Sequence, residues 1–128
     1  MIVVVQTSLR PMNSLILVLD PTSGEIPLSM DRRLVASTPS CVAVGTLCEA
    51  DGETAITLTD DSGLPRSDPA MQLAFEAIID TPRRDLSVCT VDLKPVLSLR
   101  VSTKRTRIEI WANHPSEPDR ICVLVRNR

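Results

Sequence analysis

Met71-Gln-Leu-Ala-Phe-Glu-Ala-Ile-Ile-Asp80, Leu86-Ser-Val-Cys-Thr-Val91, Val96-Leu-Ser-Leu-Arg-Val101, Arg105-Thr-Arg-Ile-Glu-Ile-Trp-Ala112 and Ile121-Cys-Val-Leu-Val125 are five short runs in close succession. Most alternate apolar and polar residues. A period of two sends successive side chains to opposite faces, which is the signature of a half-buried strand. Met71, Leu73, Phe75, Ala77 and Ile79 are expected on one face of the first run, with Gln72, Glu76 and Asp80 on the other. In Arg105–Ala112 the split is Thr106, Ile108, Ile110 and Ala112 against Arg105, Arg107, Glu109 and Trp111. The links between runs are short, at Thr81–Asp85, Asp92–Pro95 and Ser102–Lys104, which favours antiparallel neighbours. Asn113–Asp119 is a polar loop with two prolines.

The first half reads in the same way, less regularly. Leu15-Ile-Leu-Val-Leu19 is apolar throughout, as in a strand buried on both faces. Asp20–Pro27 is loop-like, and Ser29 to Val35 is compatible with a helical turn. Ser40–Cys48 and Thr54–Thr59 flank Glu49-Ala-Asp-Gly-Glu53, where Asp51-Gly52 predicts a hairpin because glycine supplies the positive φ of a tight turn. Asp60–Pro69 is the longest loop. The count predicts an all-β chain: one domain spanning residues 1–128, built as an antiparallel β-sandwich or open barrel of about eight strands.

Hydrophobic residues make up 43% of the 128, with one Phe, one Trp and no Tyr, so aliphatic side chains fill the core. The N-terminus Met-Ile-Val-Val-Val-Gln-Thr lacks the basic start and long apolar run of an export signal. No run approaches the ~20 apolar residues of a membrane span. A cytoplasmic protein with no membrane partner is expected. Cys41, Cys48, Cys89 and Cys122 show no CxxC or CxxH spacing and read as small buried hydrophobes rather than zinc ligands or a disulfide. Residues 1–80 carry 4 Arg against 11 Asp/Glu, and residues 81–128 carry 10 Lys/Arg against 5 Asp/Glu. Such a chain folds either with its charges interleaved or with an acidic and a basic face.

No run carries a catalytic chemistry, and the chain is not expected to be an enzyme. Asp61-Ser62-Gly63 matches the aspartic-protease triplet, but Thr59-Asp60 and Leu64-Pro65 replace its apolar and small neighbours, so a turn is expected. The single histidine, His114, sits in a polar loop. Four glycines leave no phosphate-cradling loop, and no cofactor is expected.

Two groups are candidates for protein binding. Arg105, Arg107 and Trp111 project from the polar face of one strand, and Arg and Trp are enriched among interface hot spots. The competing reading covers the Trp with a loop. Glu49, Asp51, Glu53, Asp60 and Asp61 form an acidic group that reads either as an ordinary solvated face or as a surface suited to a basic partner. Nucleic acid fits poorly, because single-strand binding uses several stacking aromatics and this chain has two.

Val44-Gly45-Thr46-Leu47, Ala74-Phe75-Glu76, Thr81-Pro82, Arg107-Ile-Glu-Ile-Trp111 and Pro118-Asp119 occur in an order that resembles the competence protein J family over about residues 41–126. The resemblance implies a small cytoplasmic bacterial β-domain that binds and inhibits a nuclease, whose basic cleft would dock on the acidic group. The expected function is therefore a protein-binding module, an inhibitor or immunity protein for a nuclease or toxin. The alternatives are a self-assembling structural subunit that meets copies of itself through a strand edge and Trp111, or an enzyme of unrecognised chemistry.

Overall fold

The structure, a computed structural model, describes residues 1–128. Ten strands follow one another: β1 (Val4–Leu9), β2 (Leu15–Leu19), β3 (Val35–Thr38), β4 (Cys41–Gly45), β5 (Thr54–Thr59), β6 (Gln72–Asp80), β7 (Asp85–Cys89), β8 (Pro95–Arg100), β9 (Arg105–Ala112) and β10 (Arg120–Val125). One helical turn, α1 (Gly63–Arg66), interrupts the loop before β6. The strands form two five-stranded sheets, in the orders β1-β5-β10-β9-β6 and β3-β4-β2-β7-β8. All neighbours are antiparallel except β5 and β10. The all-β expectation holds, as a sandwich and not a closed barrel. The two strands beyond the expected eight are β1, where Gln6-Thr7-Ser8 interrupts the apolar alternation, and β3, which is only four residues long. Val35–Thr38 is a strand, not part of a helical turn; Val35 is buried against Val44 across the β3–β4 ladder.

The main core lies between the sheets. Ile16 and Val18 of β2, Ile56 and Leu58 of β5, Ile108 and Ile110 of β9 and Ile121 and Val123 of β10 meet there, all essentially solvent-free. Alternation sends Leu17 and Leu19 to the outer face of the second sheet. There they pack with Cys41, Ala43 and Cys89 under the segment between β2 and β3, which contributes Met30. This second layer explains why Leu15–Leu19 is apolar without interruption: the strand is buried on both faces.

Two expectations fail for identifiable reasons. The chain does turn beside Asp51-Gly52, but at Glu49-Ala50: the Asp51 N–H closes the turn on the Cys48 carbonyl at 2.9 Å, and Gly52 follows it at φ 147°. The turn is not a hairpin, because β4 and β5 belong to different sheets. Turn chemistry reverses the chain but does not say which sheet receives it. In β6 the register against β9 shifts between Leu73 and Phe75. This bulge flips the face, so Leu73 lies outward beside Trp111 while Phe75, Ala77 and Ile79 face the core. Met71 precedes the strand.

Candidate protein-binding surface

The acidic group is divided by the fold. Glu49, Asp51 and Glu53 precede β5, and Asp60 and Asp61 follow it. Six extended residues, roughly 20 Å, separate the two parts. The first part stands at one end of the sandwich with all three carboxylates exposed and in no ion pair. Their loop is tied down: the Leu47 N–H donates to the Pro118 carbonyl at 2.9 Å, and Arg10 Nη1 donates to the Glu49 carbonyl at 2.8 Å. The first tie brings the β9–β10 loop alongside, adding the exposed Glu117 and Asp119. That loop is itself pinched by Asn113 on Asp119, 2.6 Å, and by His114, whose Nδ1 accepts the Ser116 and Glu117 N–H groups. His114 is thus a loop fastener. Sequence reading missed Glu117 and Asp119 because nothing local links them to Glu49.

The second part is structural. Asp60 accepts the Val3 N–H at 2.8 Å and Arg128 Nη1 at 3.0 Å. Partial burial pushes its carboxyl up, but the Val3 and Arg128 donors outweigh this and hold it below the usual range. Asp61 Oδ1 accepts the Gly63 N–H at 3.0 Å, which makes Asp61-Ser62-Gly63 a turn that starts α1.

On β9 the outward face is as expected, but its contents differ. Glu109, only 3% exposed, is the centre of the outer face of the first sheet. Its Oε1 accepts Trp111 Nε1 at 2.9 Å and Arg66 Nη2 at 3.3 Å, and its Oε2 accepts Arg126 Nη1 at 3.1 Å. Trp111 is half-buried, and Arg66 from α1 lies over its ring at 5.5 Å from the centroid. The covering-loop reading describes Trp111 better than the open hot spot. The arginine that meets the ring is Arg66, not Arg105 or Arg107. Arg105 is exposed and pairs loosely with Asp80 at 3.7 Å, and Arg107 is exposed.

Arg100, Lys104, Arg105, Arg107, Arg126 and Arg128 gather around the end where β5 finishes, opposite the Glu49–Glu53 loop, and share it with Asp60, Asp80 and Asp85. In the first sheet β10 and β9 sit between β5 and β6, and in the second β7 and β8 follow β3, β4 and β2, so strands of both sequence halves share each sheet.

All four cysteines are free thiols. Cys41 lies across from Leu19 and Cys89 across from Leu17, on opposite sides of β2. Two strand spacings put their Cα atoms roughly 10 Å apart, beyond the ~7 Å reach of a disulfide. Burial pushes the Cys41 thiol up to about 12, with Cys89 nearby adding to it, and pushes Cys89 to about 11. Burial, then the Asp61 carboxylate, pushes Cys122 to about 12. A thiol needs its anion to react. The folded protein is expected to show one thiol reactive towards a disulfide reagent, the half-buried Cys48, and four after unfolding. Two or more fast thiols in the native state would contradict the buried assignments.

The fold is similar to the crystal structure of ComJ from Bacillus subtilis, described as an inhibitor of the DNA-degrading activity of NucA, with a TM-score of 0.63, 10% identity and coverage of 100% of this chain and 99% of that one. The likeness takes in the N-terminal third, beyond the residues that carry the sequence resemblance. The chain matches no protein-family model and no curated protein sequence. No helix is long and apolar enough to cross a membrane.

Proposed function

We propose that residues 1–128 act as one β-sandwich module that docks on another protein in the cytoplasm and restrains it, as an inhibitor or immunity protein for a nuclease or toxin. The observation that carries this reading is the acidic end formed by Glu49, Asp51 and Glu53. Its carboxylates are exposed and unpaired, its loop is held by main-chain bonds, and Glu117 and Asp119 extend it. A nuclease must present positive charge to the phosphate backbone of its substrate. A fixed array of carboxylates is complementary to such a cleft, steers association and blocks the substrate path. The full-length likeness in fold to an inhibitor of a DNA-degrading enzyme supports the same reading. Asp60 and Asp61 are not part of this surface: Asp60 holds the Val3 N–H and Arg128, Asp61 holds the Gly63 N–H of its own loop, and both stand at the far end of β5. Arg105, Arg107 and Trp111 lie away from the acidic end and are not part of this contact.

The test is capture of the partner from the source lysate, followed by an assay of DNA degradation by the captured protein. Wild type is expected to suppress degradation at one-to-one stoichiometry. The Glu49→Lys/Asp51→Lys/Glu53→Lys variant is expected to associate on the order of tenfold or more slowly, with the wild-type rate falling as salt rises. Glu76→Lys, an exposed carboxylate on β6, serves as the charge control. If the triple variant captures and inhibits as wild type does, the acidic end is not the docking surface.

A further inference from the structure

Four strands are sheet edges: β1 and β6 in one sheet, β3 and β8 in the other. An open edge is a template for another strand, and proteins blunt it with short length, charge, proline or bulges. β3 has four residues. β8 begins at Pro95 and pairs with a register shift. β6 has the Leu73/Phe75 bulge and carries Glu76 and Asp80. β1, Val4-Val-Gln-Thr-Ser-Leu9, has none of these. It holds no charge and no proline, and it pairs with β5 over six residues without a shift.

The direction of its main chain is known at one end. The Val3 carbonyl accepts the Asp60 N–H at 3.3 Å, and the Val3 N–H donates to Asp60 Oδ1. Main-chain groups alternate along a strand, so Val3, Val5, Thr7 and Leu9 face β5, and Val4, Gln6 and Ser8 turn their N–H and C=O groups to the open side. Ile2 and Val4 are 63% and 43% exposed. Beside this edge, on the outer face of the sheet, a groove of about 570 Å³ runs between Gln6 and Ser8 and a wall formed by Leu64, Pro65 and Met71.

We propose that β1 is a dimerisation edge, at which a second copy of this chain adds its own β1 antiparallel about a twofold axis at Gln6, joining the two five-stranded sheets into one. The occupant follows from the strand itself. The run from Ile2 to Arg10 is centred on Gln6, and Pro11, which has no N–H, ends it. In this register Gln6 meets Gln6 of the other copy, Val4 meets Ser8, and Ile2 meets Arg10, so no like charges face each other. Val4 of the second copy comes to rest beside Ser8, at the mouth of the groove walled by Leu64 and Met71. Each copy thus covers an apolar side chain that the other leaves exposed. A neutral edge offers a charged foreign segment no complement, whereas a closed twofold contact satisfies both edges at once. The inference uses neither the acidic end nor its partner and stands apart from the inhibitor reading.

Sedimentation and light scattering across a concentration series decide it. Wild type is expected at twice the chain mass of 14.0 kDa. Gln6 is exposed, its amide donating to Thr57 Oγ1 at 3.3 Å, so Gln6→Lys and Gln6→Glu fit the folded chain. Circular dichroism checks that they do. Either variant alone puts like charges directly opposite at the axis, and its dimer Kd is expected to rise about tenfold or more, while an equal mixture of the two recovers a dimer. A wild type that stays at 14.0 kDa at every concentration overturns the proposal. So does a set of three proteins that dimerise equally, or a mixture that fails to recover the dimer.

Discussion

Replacing Glu109 with alanine is expected to lower the unfolding free energy by about 2–3 kcal/mol and to move the Trp111 emission to longer wavelength. The carboxylate is almost solvent-free, and three donors converge on it: Trp111 Nε1, Arg66 Nη2 and Arg126 Nη1. Removing one partner of a buried ion pair costs about 3–5 kcal/mol, because the remaining charge is stranded. Here the strandable charges are partly wet, with Arg66 and Arg126 side chains 43% and 32% exposed. Solvent screens them and pulls the expectation to the low end of that range or below. The loss is mechanical too. Glu109 is the point at which α1, through Arg66, is fastened over the outer face of the sheet. Without it two guanidiniums repel, Arg66 swings away from the indole, and the ring loses its cover. Glu109→Gln keeps the shape and one acceptor oxygen, so it should cost less than Glu109→Ala. Arg66→Ala, which removes the wetter partner, should cost about 1 kcal/mol. Urea melts followed by Trp111 fluorescence give both readouts, and the Glu109→Ala midpoint should fall by roughly 1 M. A midpoint within error of wild type, with unchanged emission, would mean that the cluster fastens nothing.

This cluster shows what the sequence can and cannot convey. The alternation of Arg105–Ala112 correctly puts Glu109 and Trp111 on one side and Ile108 and Ile110 on the other, because the pleat obeys a period that local order alone sets. It cannot name the arginine that covers the indole. Arg66 arrives from a loop 43 positions before Glu109, while the tempting candidates, Arg105 and Arg107, are merely nearest in sequence. The acidic group fails in the same way: five carboxylates look clustered along the chain, yet a strand stands between them, and Glu117 and Asp119 join from far downstream. The β6 bulge has no sequence mark at Ala74, and one inserted residue reverses the face of Leu73 and Met71. Strand existence was legible where a long run alternated or was wholly apolar, at the edge strand β6 as much as at the central β2. It was not at β1, whose Gln6-Thr7-Ser8 breaks the alternation, or at β3, which is four residues long. Sheet membership was legible nowhere, since a turn signal such as Asp51-Gly52 reads the same whether the next strand pairs with the last or crosses to the other sheet.

Gly24→Val is expected to destabilise the fold by about 3 kcal/mol and Gly24→Ala by about 1–2 kcal/mol, through crowding in a closed space. A Cβ at Gly24 would lie 2.5 Å from Leu19 Cδ1, 2.8 Å from Leu19 Cβ and 3.0 Å from the Ser40 carbonyl oxygen. The Leu19 methyl could rotate away, but its Cβ and the Ser40 carbonyl belong to the rigid ends of β2 and β4. The glycine cannot slide sideways either. Its own N–H is held by the Asp20 carbonyl at 3.0 Å, the Glu25 N–H donates to Ser40 Oγ at 2.8 Å, and Thr38 Oγ1 donates to the Glu25 carbonyl at 2.6 Å. Asp20, which starts the segment, is fully buried, its Oδ2 accepting the Arg83 N–H at 2.8 Å. The remaining escape is for the whole segment to lift from the outer face of the second sheet. That motion uncovers the layer of Leu17, Leu19, Cys41, Ala43 and Cys89 that the segment seals. The effect therefore has a chemical signature beyond the melt: Cys41 and Cys89 gain solvent, their thiols lose the burial that suppresses the anion, and the count of reactive thiols in the folded state rises from one towards three. Cys122, on the other sheet, stays silent and serves as the internal control. A Gly24→Val protein as stable as wild type, with a single reactive thiol, would show that the segment does not press on Leu19 and that the second layer is sealed by something else.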